Sequence, residues 1–279
     1  MIQLGKKNTL RIKHIEPFLM IVLDETGKEI TVSDFPENIY SEGNSIQVFV
    51  YRDKSGELVG TLKTPKAQVG EFALLKVTDV NKYGAFLDWG LEKELFVPFR
   101  EQKEPMIKGE SYLVYIKVDD KSDRIIASSK IRKYLDEEPV GLNKGDKVQL
   151  IIESKTDLGY NAIINHRYIG LCYDNEIFQP LEIGQKLEGY IKSVRSDGKI
   201  DLSLTPIGFS RMEVEKEKIW NALKELNGYL PLHDKSDPDE IKKTLGMSKK
   251  TFKAAIGMLY KEGKIIINSD GITINNASD

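Results

Sequence analysis

Two aromatic side chains near the middle of the chain are the residues best suited to binding chemistry. Tyr83 and Phe86 flank Gly84 in the run Lys-Tyr-Gly-Ala-Phe-Leu-Asp at residues 82–88. Residues three apart normally point to opposite faces of a strand, but a glycine permits a bend or bulge that brings both rings to one outer surface. Exposed rings stack on unpaired nucleobases with about 1–3 kcal/mol per base. The pattern predicts a platform for single-stranded nucleic acid; the alternative is an ordinary barrel whose aromatic side chains serve the core.

Groups that could support catalysis or metal binding are scattered. His14, His166 and His233 are the three histidines, and none has a partner at a recognised metal-ligand spacing. The sequence has no glycine-rich phosphate loop and no nucleophile elbow. Cys172 is the single cysteine, which excludes an intrachain disulfide and a cysteine-based zinc site. We therefore expect a protein that is not an enzyme and uses no cofactor and no metal.

The cellular compartment is predicted from the same features. A single cysteine fits a reducing compartment. The first residues have no apolar signal core, and no run of 18 apolar residues occurs in the sequence. These features predict a cytoplasmic protein with no membrane partner.

Charge points to local patches rather than to a basic protein. The 279 residues contain 41 basic and 43 acidic side chains, so the formal net charge is −2. Residues 240–264 are the exception, with seven lysines against two acidic residues. Phosphate contact is the simplest use of such a segment, and a solvated helix face is the alternative. The candidate contact residues are Lys249, Lys250, Lys253 and Lys261. The segment lacks exposed asparagine, glutamine or arginine for bidentate base contacts, which favours contact with the RNA backbone over reading of DNA sequence.

The elements that must position these residues form a repeat. Residues 70–130 contain five short strands separated by polar turns, which predicts a five-stranded OB-fold barrel. The pattern recurs in residues 1–64 and 145–206, and the late glycine and terminal serine are 19 positions apart in both later units, Gly109 to Ser128 and Gly184 to Ser203. The Tyr-Gly-Ala-Phe run is absent from the first unit, so its binding face is expected to be degraded.

The C-terminal part follows a different period. Apolar residues recur at helical spacing after residue 206, and the order helix, helix, turn, helix, hairpin over residues 211–275 predicts a winged helix-turn-helix. The predicted fold class is mainly β with an α+β C-terminal domain. It comprises three tandem OB-fold barrels at 1–64, 70–130 and 145–206, followed by the winged helix at 211–275.

The central unit resembles an S1-type RNA-binding domain in its ordered series of short motifs. The matching parts are Gly70, Lys76-Val77, Tyr83-Gly84-Ala85-Phe86, Pro98-Phe99-Arg100-Glu101, Gly109-Glu110, Ile116-Lys117-Val118 and Arg124-Ile125. The resemblance implies an RNA-binding face made by Lys76, Tyr83, Phe86, Arg100, Lys117 and Arg124. Pro98 stands where the family usually has histidine, which removes one donor or stacking group.

The third unit offers a weaker face by the same resemblance. Tyr173 occupies the position of the usual histidine, and Leu158 stands where an aromatic residue would precede Gly159. The candidate RNA contacts of this unit are Tyr160, Tyr173, Lys192 and Arg195.

The arrangement of three barrels and a winged helix resembles the bacterial CvfB/YitL family of RNA-binding regulators. The most family-specific stretches are residues 234–241, 247–253 and 259–261. The resemblance implies a non-catalytic cytoplasmic protein that binds single-stranded RNA and affects gene expression, including virulence genes in some bacteria. The ribosome or RNA-processing machinery is a further candidate partner. Two alternatives stay open: a DNA-binding transcription regulator acting through the winged helix, and a protein-binding scaffold.

Overall fold

The computed structural model describes residues 1–36, 39–177, 180–206, 208 and 211–275. They form two compact units, Met1–Leu204 and Thr205–Asp279. Residues 207 and 209–210, where the predicted change of sequence period falls, lie outside the described residues. None of the helices in the described part of the chain combines the length and the apolar character that a bilayer crossing would require.

The first unit consists of three closed barrels of five strands each. In each barrel the third and fifth strands are parallel, and the other neighbouring pairs are antiparallel. Barrel 1 comprises β1 Lys7–Glu16, β2 Leu19–Leu23, β3 Glu29–Val32, β4 Ser45–Arg52 and β5 Leu58–Thr61. Barrel 2 comprises β6 Phe72–Asn81, β7 Gly84–Asp88, β8 Leu95–Pro98, β9 Ser111–Val118 and β10 Ile125–Ser128. Barrel 3 comprises β11 Lys147–Thr156, β12 Gly159–Ile164, β13 Tyr168–Tyr173, β14 Lys186–Val194 and β15 Ile200–Ser203.

The barrels follow from alternating side chains in short strands. In β6, Leu75 and Val77 are buried in the barrel core while Lys76 between them is exposed. The first strand of every barrel shifts register at one point, a bulge that increases its twist and helps the sheet to close. The shifts lie between Ile12 and His14, Val77 and Asp79, and Ile152 and Ser154. In barrel 2 the irregularity is therefore in β6 rather than at Gly84, where the sequence suggested it.

Apolar contacts join neighbouring barrels within this unit. Phe49 of barrel 1 is part of the buried cluster of barrel 2 and lies edge-on to Trp89, with ring centres 5.7 Å apart. Phe72 of barrel 2 packs in a second cluster with Ile151 and Ile163 of barrel 3. The Phe72 backbone N–H donates to Nδ1 of His166 at 2.9 Å. Because both junctions are buried, neighbouring barrels are packed against each other rather than simply tethered.

The second unit is a winged helix. Its helices are α1 Arg211–Glu225, α2 Pro238–Leu245 and α3 Lys249–Lys261, and its strands are β16 Tyr229–Leu230, β17 Ile265–Ile267 and β18 Ile272–Ile274. N-caps begin α2 and α3: Asp237 accepts a hydrogen bond from the Asp239 backbone N–H, and Ser248 accepts one from the Thr251 backbone N–H. The two-residue β16, which the sequence did not indicate, pairs with β18.

The predicted fold class is confirmed: three OB-fold barrels precede a winged helix. The four domain boundaries given above stay predictions. Leu226 just after α1, which ends at Glu225, is 48% exposed.

Candidate nucleic-acid interface

The outer surface of barrel 2 carries the predicted aromatic residues. In β7, Ala85 and Leu87 point into the core while Phe86 faces outward and is half-buried. Tyr83 lies in the turn before β7 and is 64% exposed. Phe96 of β8 is the direct cross-strand partner of Phe86, and their ring centres are 5.2 Å apart. Tyr83, Phe86 and Phe96 together are called the aromatic face below. None of the three rings is sealed inside the barrel.

A row of cross-strand partners extends this face around the barrel. Directly paired residues lie on the same side of a sheet. Phe86 pairs with Phe96, Phe96 with Ile126, and Ile126 with Lys117, so the row crosses β7, β8, β10 and β9. Three strand spacings make it roughly 14 Å long. The register therefore places Phe86 and Lys117 on the outer side of the barrel, but Ile126 between them is only 4% exposed, so the row is covered at that point. Lys117 lies at the far end, with Nζ 5.5 Å from the centre of the Tyr134 ring.

The remaining predicted cations of barrel 2 have different surroundings. Lys76 is exposed on β6 opposite Asp88. A hydrogen bond from Lys66, with Nζ 2.6 Å from the carboxylate, holds the pKa of Asp88 below its ordinary value, so Asp88 already has a cationic partner. Arg100 is exposed but pairs with Asp119, with Nη2 2.5 Å from Oδ1. Arg124 lines a crevice shared with Tyr51 and Arg52 of barrel 1.

Most candidate residues of barrel 3 are engaged within the barrel. Tyr160 pairs with the buried Cys172, so its ring packs on the core rather than beside Tyr173 on the outer face. Lys192 forms an ion pair with Glu176. Arg195 pairs with Asp201, with Nη2 2.7 Å from Oδ1, and also donates to the Tyr173 hydroxyl. The hydrogen bond to Asp201 raises the pKa of Arg195. Each of these cations already faces a carboxylate, which weakens its attraction for phosphate.

The single cysteine has no chemical role in this geometry. Cys172 is 1% exposed in the barrel 3 core, and burial raises the pKa of its thiol to about 12. A thiol that stays protonated is a poor nucleophile and a poor metal ligand. Among the described residues, no group of three or more histidine, cysteine, aspartate or glutamate side chains is placed to hold a metal ion.

The corresponding surface of barrel 1 is acidic. Counting from the cross-strand pairs, Ile21 and Thr31 occupy the places of Phe86 and Phe96. A pocket at this surface is lined by Thr31, Asp34, Asp53 and Glu92, with Lys63 near both Asp34 and Glu92. The carboxylates oppose phosphate. The degraded binding face expected for this unit stays a prediction.

The predicted lysines of the winged helix form a stripe. Lys250, Lys253 and Lys261 are exposed and recur at helical spacing along α3, and no ion pair to them is found within the described part of the chain. These three are called the lysine stripe. Lys249 is half-buried, and its Nζ donates to the Lys235 carbonyl oxygen at 3.1 Å.

Sequence reasoning missed Phe96. The signal was present, because residues 95–98 alternate and place Leu95 and Val97 in the core with Phe96 outside. It was overlooked because it lies outside the Tyr-Gly-Ala-Phe run.

Comparison with known proteins agrees with this architecture. Residues 217–274 match the CvfB-like winged helix domain, and residues 4–63 match the S1 domain. The S1 match thus falls on barrel 1, while the S1 resemblance in the sequence was drawn on barrel 2. S1 and winged-helix domains are nucleic-acid-binding modules, not known catalytic ones.

Full-length relatives show the same similarity. The chain is 29% identical to the YitL protein of Bacillus subtilis, over 94% of this chain and 90% of that protein. It is 28% identical to conserved virulence factor B of Staphylococcus epidermidis, over 85% and 82% of the two chains. A crystal structure of a multidomain protein with nucleic acid binding domains from Streptococcus pneumoniae is 26% identical and covers 97% of this chain and 98% of its own, with a TM-score of 0.41. The chain therefore carries a CvfB-like winged helix domain and an S1 domain, and it resembles the conserved virulence factor B and YitL proteins along most of its length.

Proposed function

We propose that this protein binds single-stranded RNA on the aromatic face of barrel 2 and on the lysine stripe of α3, without catalysing a reaction. The observation that carries the proposal is the outward position of Tyr83, Phe86 and Phe96 on one barrel. Three exposed or half-exposed rings lack a structural purpose in a barrel whose core is already filled by other residues.

The chemistry of the face suits an unpaired strand. Rings stack on any base, and each stacked base contributes about 1–3 kcal/mol. Lys76 and Lys117 face outward on the same barrel and supply positive charge for phosphates. The Lys82 ammonium lies 5.1 Å from the centre of the Tyr83 ring and adds a further cation at the exposed end. A duplex hides its base faces, so this surface favours single strands.

The lysine stripe supplies a second contact of a different kind. Exposed lysines on a helix hold phosphates without reading bases. Two sites on one chain raise the apparent affinity for a strand long enough to reach both. We further propose that the protein acts in the cytoplasm as a post-transcriptional regulator, with the ribosome or RNA-processing machinery as further candidate partners. A relative from Staphylococcus epidermidis is named conserved virulence factor B, and we propose that the regulation extends to virulence genes in some bacteria.

The test is equilibrium binding of the full-length protein to a fluorescent 20-nucleotide single-stranded RNA. Tyr83→Ala combined with Phe86→Ala is expected to weaken binding more than tenfold, since two stacking contacts are lost. Phe18→Ala is the matched control, because Phe18 is 76% exposed in the equivalent turn of barrel 1. Unchanged binding by the double variant, with a native circular dichroism spectrum, would refute this assignment of the face.

A DNA-binding regulator is the second candidate, and the exposed lysine stripe on α3 is the observation that favours it. Lys250→Glu with Lys253→Glu should then abolish preferential binding to duplex DNA of a particular sequence. If the stripe contacts RNA phosphates instead, the same pair should lower the dependence of log affinity on log salt concentration by about 1.4. Binding that is insensitive to salt would point to a protein-binding scaffold.

A further inference from the structure

The outer face of barrel 3 is enclosed where that of barrel 2 is open. Residues 132–139, which lead from barrel 2 into barrel 3, run beside this face and leave a groove of about 620 Å³. Asn161, Leu171 and Asp201 line it from the barrel side. Glu137 and Pro139 of the connecting segment and Gly198 of the turn before β15 line the opposite side. This space is called the barrel 3 groove, and its volume is in the usual range for sites that hold small organic groups.

The groove is fixed by hydrogen bonds at several points. The Asp136 backbone N–H donates to the Arg167 carbonyl oxygen at 2.7 Å, and the Arg167 guanidinium donates back to the Asp136 carboxylate at 2.6 and 2.9 Å. The Tyr168 hydroxyl bonds the backbone of Val140. Arg132 reaches Glu153 of β11 at 2.9 Å. The connecting segment is therefore held on the barrel, and the groove is preformed.

The groove occupies the place of the aromatic face. Asn161 and Leu171 are cross-strand partners in the positions of Phe86 and Phe96, and Asp201 follows in the position of Ile126. A strand that stacks on barrel 2 thus meets a half-open groove of mixed apolar and polar lining at the equivalent place on barrel 3. Stacking platforms accept any base, but a groove that also presents polar groups can distinguish bases by their edges.

The groups that remain available in the groove are mainly acceptors. Its cations are engaged: Arg195 by Asp201, Lys199 by Asp197 at 2.9 Å, and Arg132 by Glu153. Within the described residues, no partner is found for the Glu137 carboxylate. Asn161 uses Nδ2 to donate to Ser154 Oγ at 3.2 Å, which leaves its Oδ1 as an acceptor. Acceptors of this kind pair with exocyclic amino groups. Uracil has no amino group, and its one ring donor, N3–H, lies between two carbonyl oxygens that such acceptors oppose.

We propose that the barrel 3 groove holds one nucleobase that carries an exocyclic amino group, adenine, cytosine or guanine, and discriminates against uracil. Asn161 Oδ1 accepts from the amino group on the barrel side, Glu137 adds negative charge on the opposite side, and Leu171 contacts the plane of the base. The acidic side chains keep phosphates outside the groove. This inference rests on the proposed function, since the base arrives as part of an RNA strand that is also held on barrel 2.

The test uses a 12-nucleotide oligouridine and three versions with a single central adenosine, cytidine or guanosine, bound to the full-length protein. At least one substituted strand is expected to bind about tenfold more tightly than oligouridine, the size of one good pairing with a base edge. Glu137→Ala with Asn161→Ala should remove that preference and leave the affinity for oligouridine within about twofold.

Glu138→Ala is the matched control. Glu138 is exposed on the same segment but does not line the groove, so its removal changes the general electrostatics without touching the site. It should shift all four affinities equally and keep the preference. Equal binding of all four strands by the wild type would overturn the proposed base preference of the groove. Equal losses of that preference in Glu137→Ala and Glu138→Ala would overturn it too. Binding that Tyr83→Ala with Phe86→Ala still weakens more than tenfold would show that the proposed function survives such a result. Absence of binding to every strand would overturn both.

Discussion

Barrels 2 and 3 share one framework and present opposite surfaces on it. Both close with the same strand order, bulge after the sixth residue of the first strand, and begin the second strand with a glycine. On the outside, Phe86 and Phe96 of barrel 2 are replaced by Asn161 and Leu171 in barrel 3. The inward residues are apolar in both, because every barrel must fill its core.

The difference teaches that closing the barrel leaves the outer face free to vary. Barrel 1 is a third outcome, in which the equivalent surface carries Thr31 beside Asp34 and Glu92. One repeated fold thus presents an aromatic, a polar and an acidic surface. Binding must be argued from each surface separately, since the shared fold does not decide it.

Converting the outer surface of barrel 2 into that of barrel 3 is the strongest test of whether this difference decides RNA binding. Phe86→Asn with Phe96→Leu is expected to weaken binding of single-stranded RNA about a hundredfold, because two stacking platforms are lost while the strand order is kept. The measurement is fluorescence anisotropy with the wild type and the variant at one salt concentration.

Ile21→Asn with Thr31→Leu in barrel 1 is the control for that exchange. It introduces the same two residue types at the equivalent positions of barrel 1, whose surface we expect not to bind RNA. Its affinity should stay within about twofold of wild type. A comparable loss from both pairs would mean that the substitutions act through stability or through a surface shared by the barrels.

The glycine that begins the second strand tests what barrels 2 and 3 have in common. A Cβ on Gly84 would lie 2.2 Å from the Val97 carbonyl oxygen, and one on Gly159 would lie 2.0 Å from that of Cys172. Their φ angles are +155° and +146°, which side chains other than glycine rarely adopt. Gly84→Ala and Gly159→Ala should each lower the free energy of unfolding by about 2–4 kcal/mol, measured by urea denaturation.

Gly109→Ala separates the two causes of that loss. Gly109 has a φ of +91° in barrel 2, but a Cβ there would meet nothing within 4 Å. Its substitution should cost only about 1 kcal/mol, the conformational part. If Gly84→Ala is no more costly than Gly109→Ala, the close approach of β7 to β8 does not constrain the strand.

The framework could be predicted from the sequence, because it depends on local patterns. Alternation, turn residues and the helix caps at Asp237 and Ser248 each have a signal within a few residues. Which side of a strand a ring faces was harder: the bulge in β6 and the inward position of Tyr160 depend on register between strands. A single residue of register reverses the face.

The properties of the candidate site depended on contacts distant in sequence. The sequence presents Arg100, Lys192 and Arg195 as free cations, whereas each meets a carboxylate in the folded chain. The partners are 19, 16 and 6 positions away in sequence. The position of the connecting segment beside barrel 3 could not be predicted from the sequence either. Its hydrogen bonds to Arg167 and Tyr168 link residues about 30 positions apart.

The junction between barrels 2 and 3 gives the smallest expected effect, and it tests whether the two surfaces are held together. His166 Nδ1 accepts the Phe72 backbone N–H, and its ring is parallel to the Phe72 ring with centres 6.2 Å apart. Burial lowers the pKa of His166 below its ordinary value of 6.5. The positive charge of Lys186 also lowers this pKa, and the negative charge of Glu71 opposes the shift. Only the neutral ring can accept at Nδ1.

The sign of the pH dependence follows. The unfolded chain takes up a proton on His166 near pH 6.5, while the folded chain takes it up at a lower pH. The stabilisation is therefore complete above about pH 6.5 and is lost as the pH falls from there toward the folded pKa.

Melting temperatures between pH 5 and 8 should show this loss in the wild type, and His166→Gln should flatten that part of the curve. His14→Gln removes an exposed histidine of barrel 1 and should keep the loss. If the melting temperatures of His166→Gln depend on pH as those of the wild type do, protonation of His166 does not loosen the junction. The two barrels would then stay packed against each other at acidic pH.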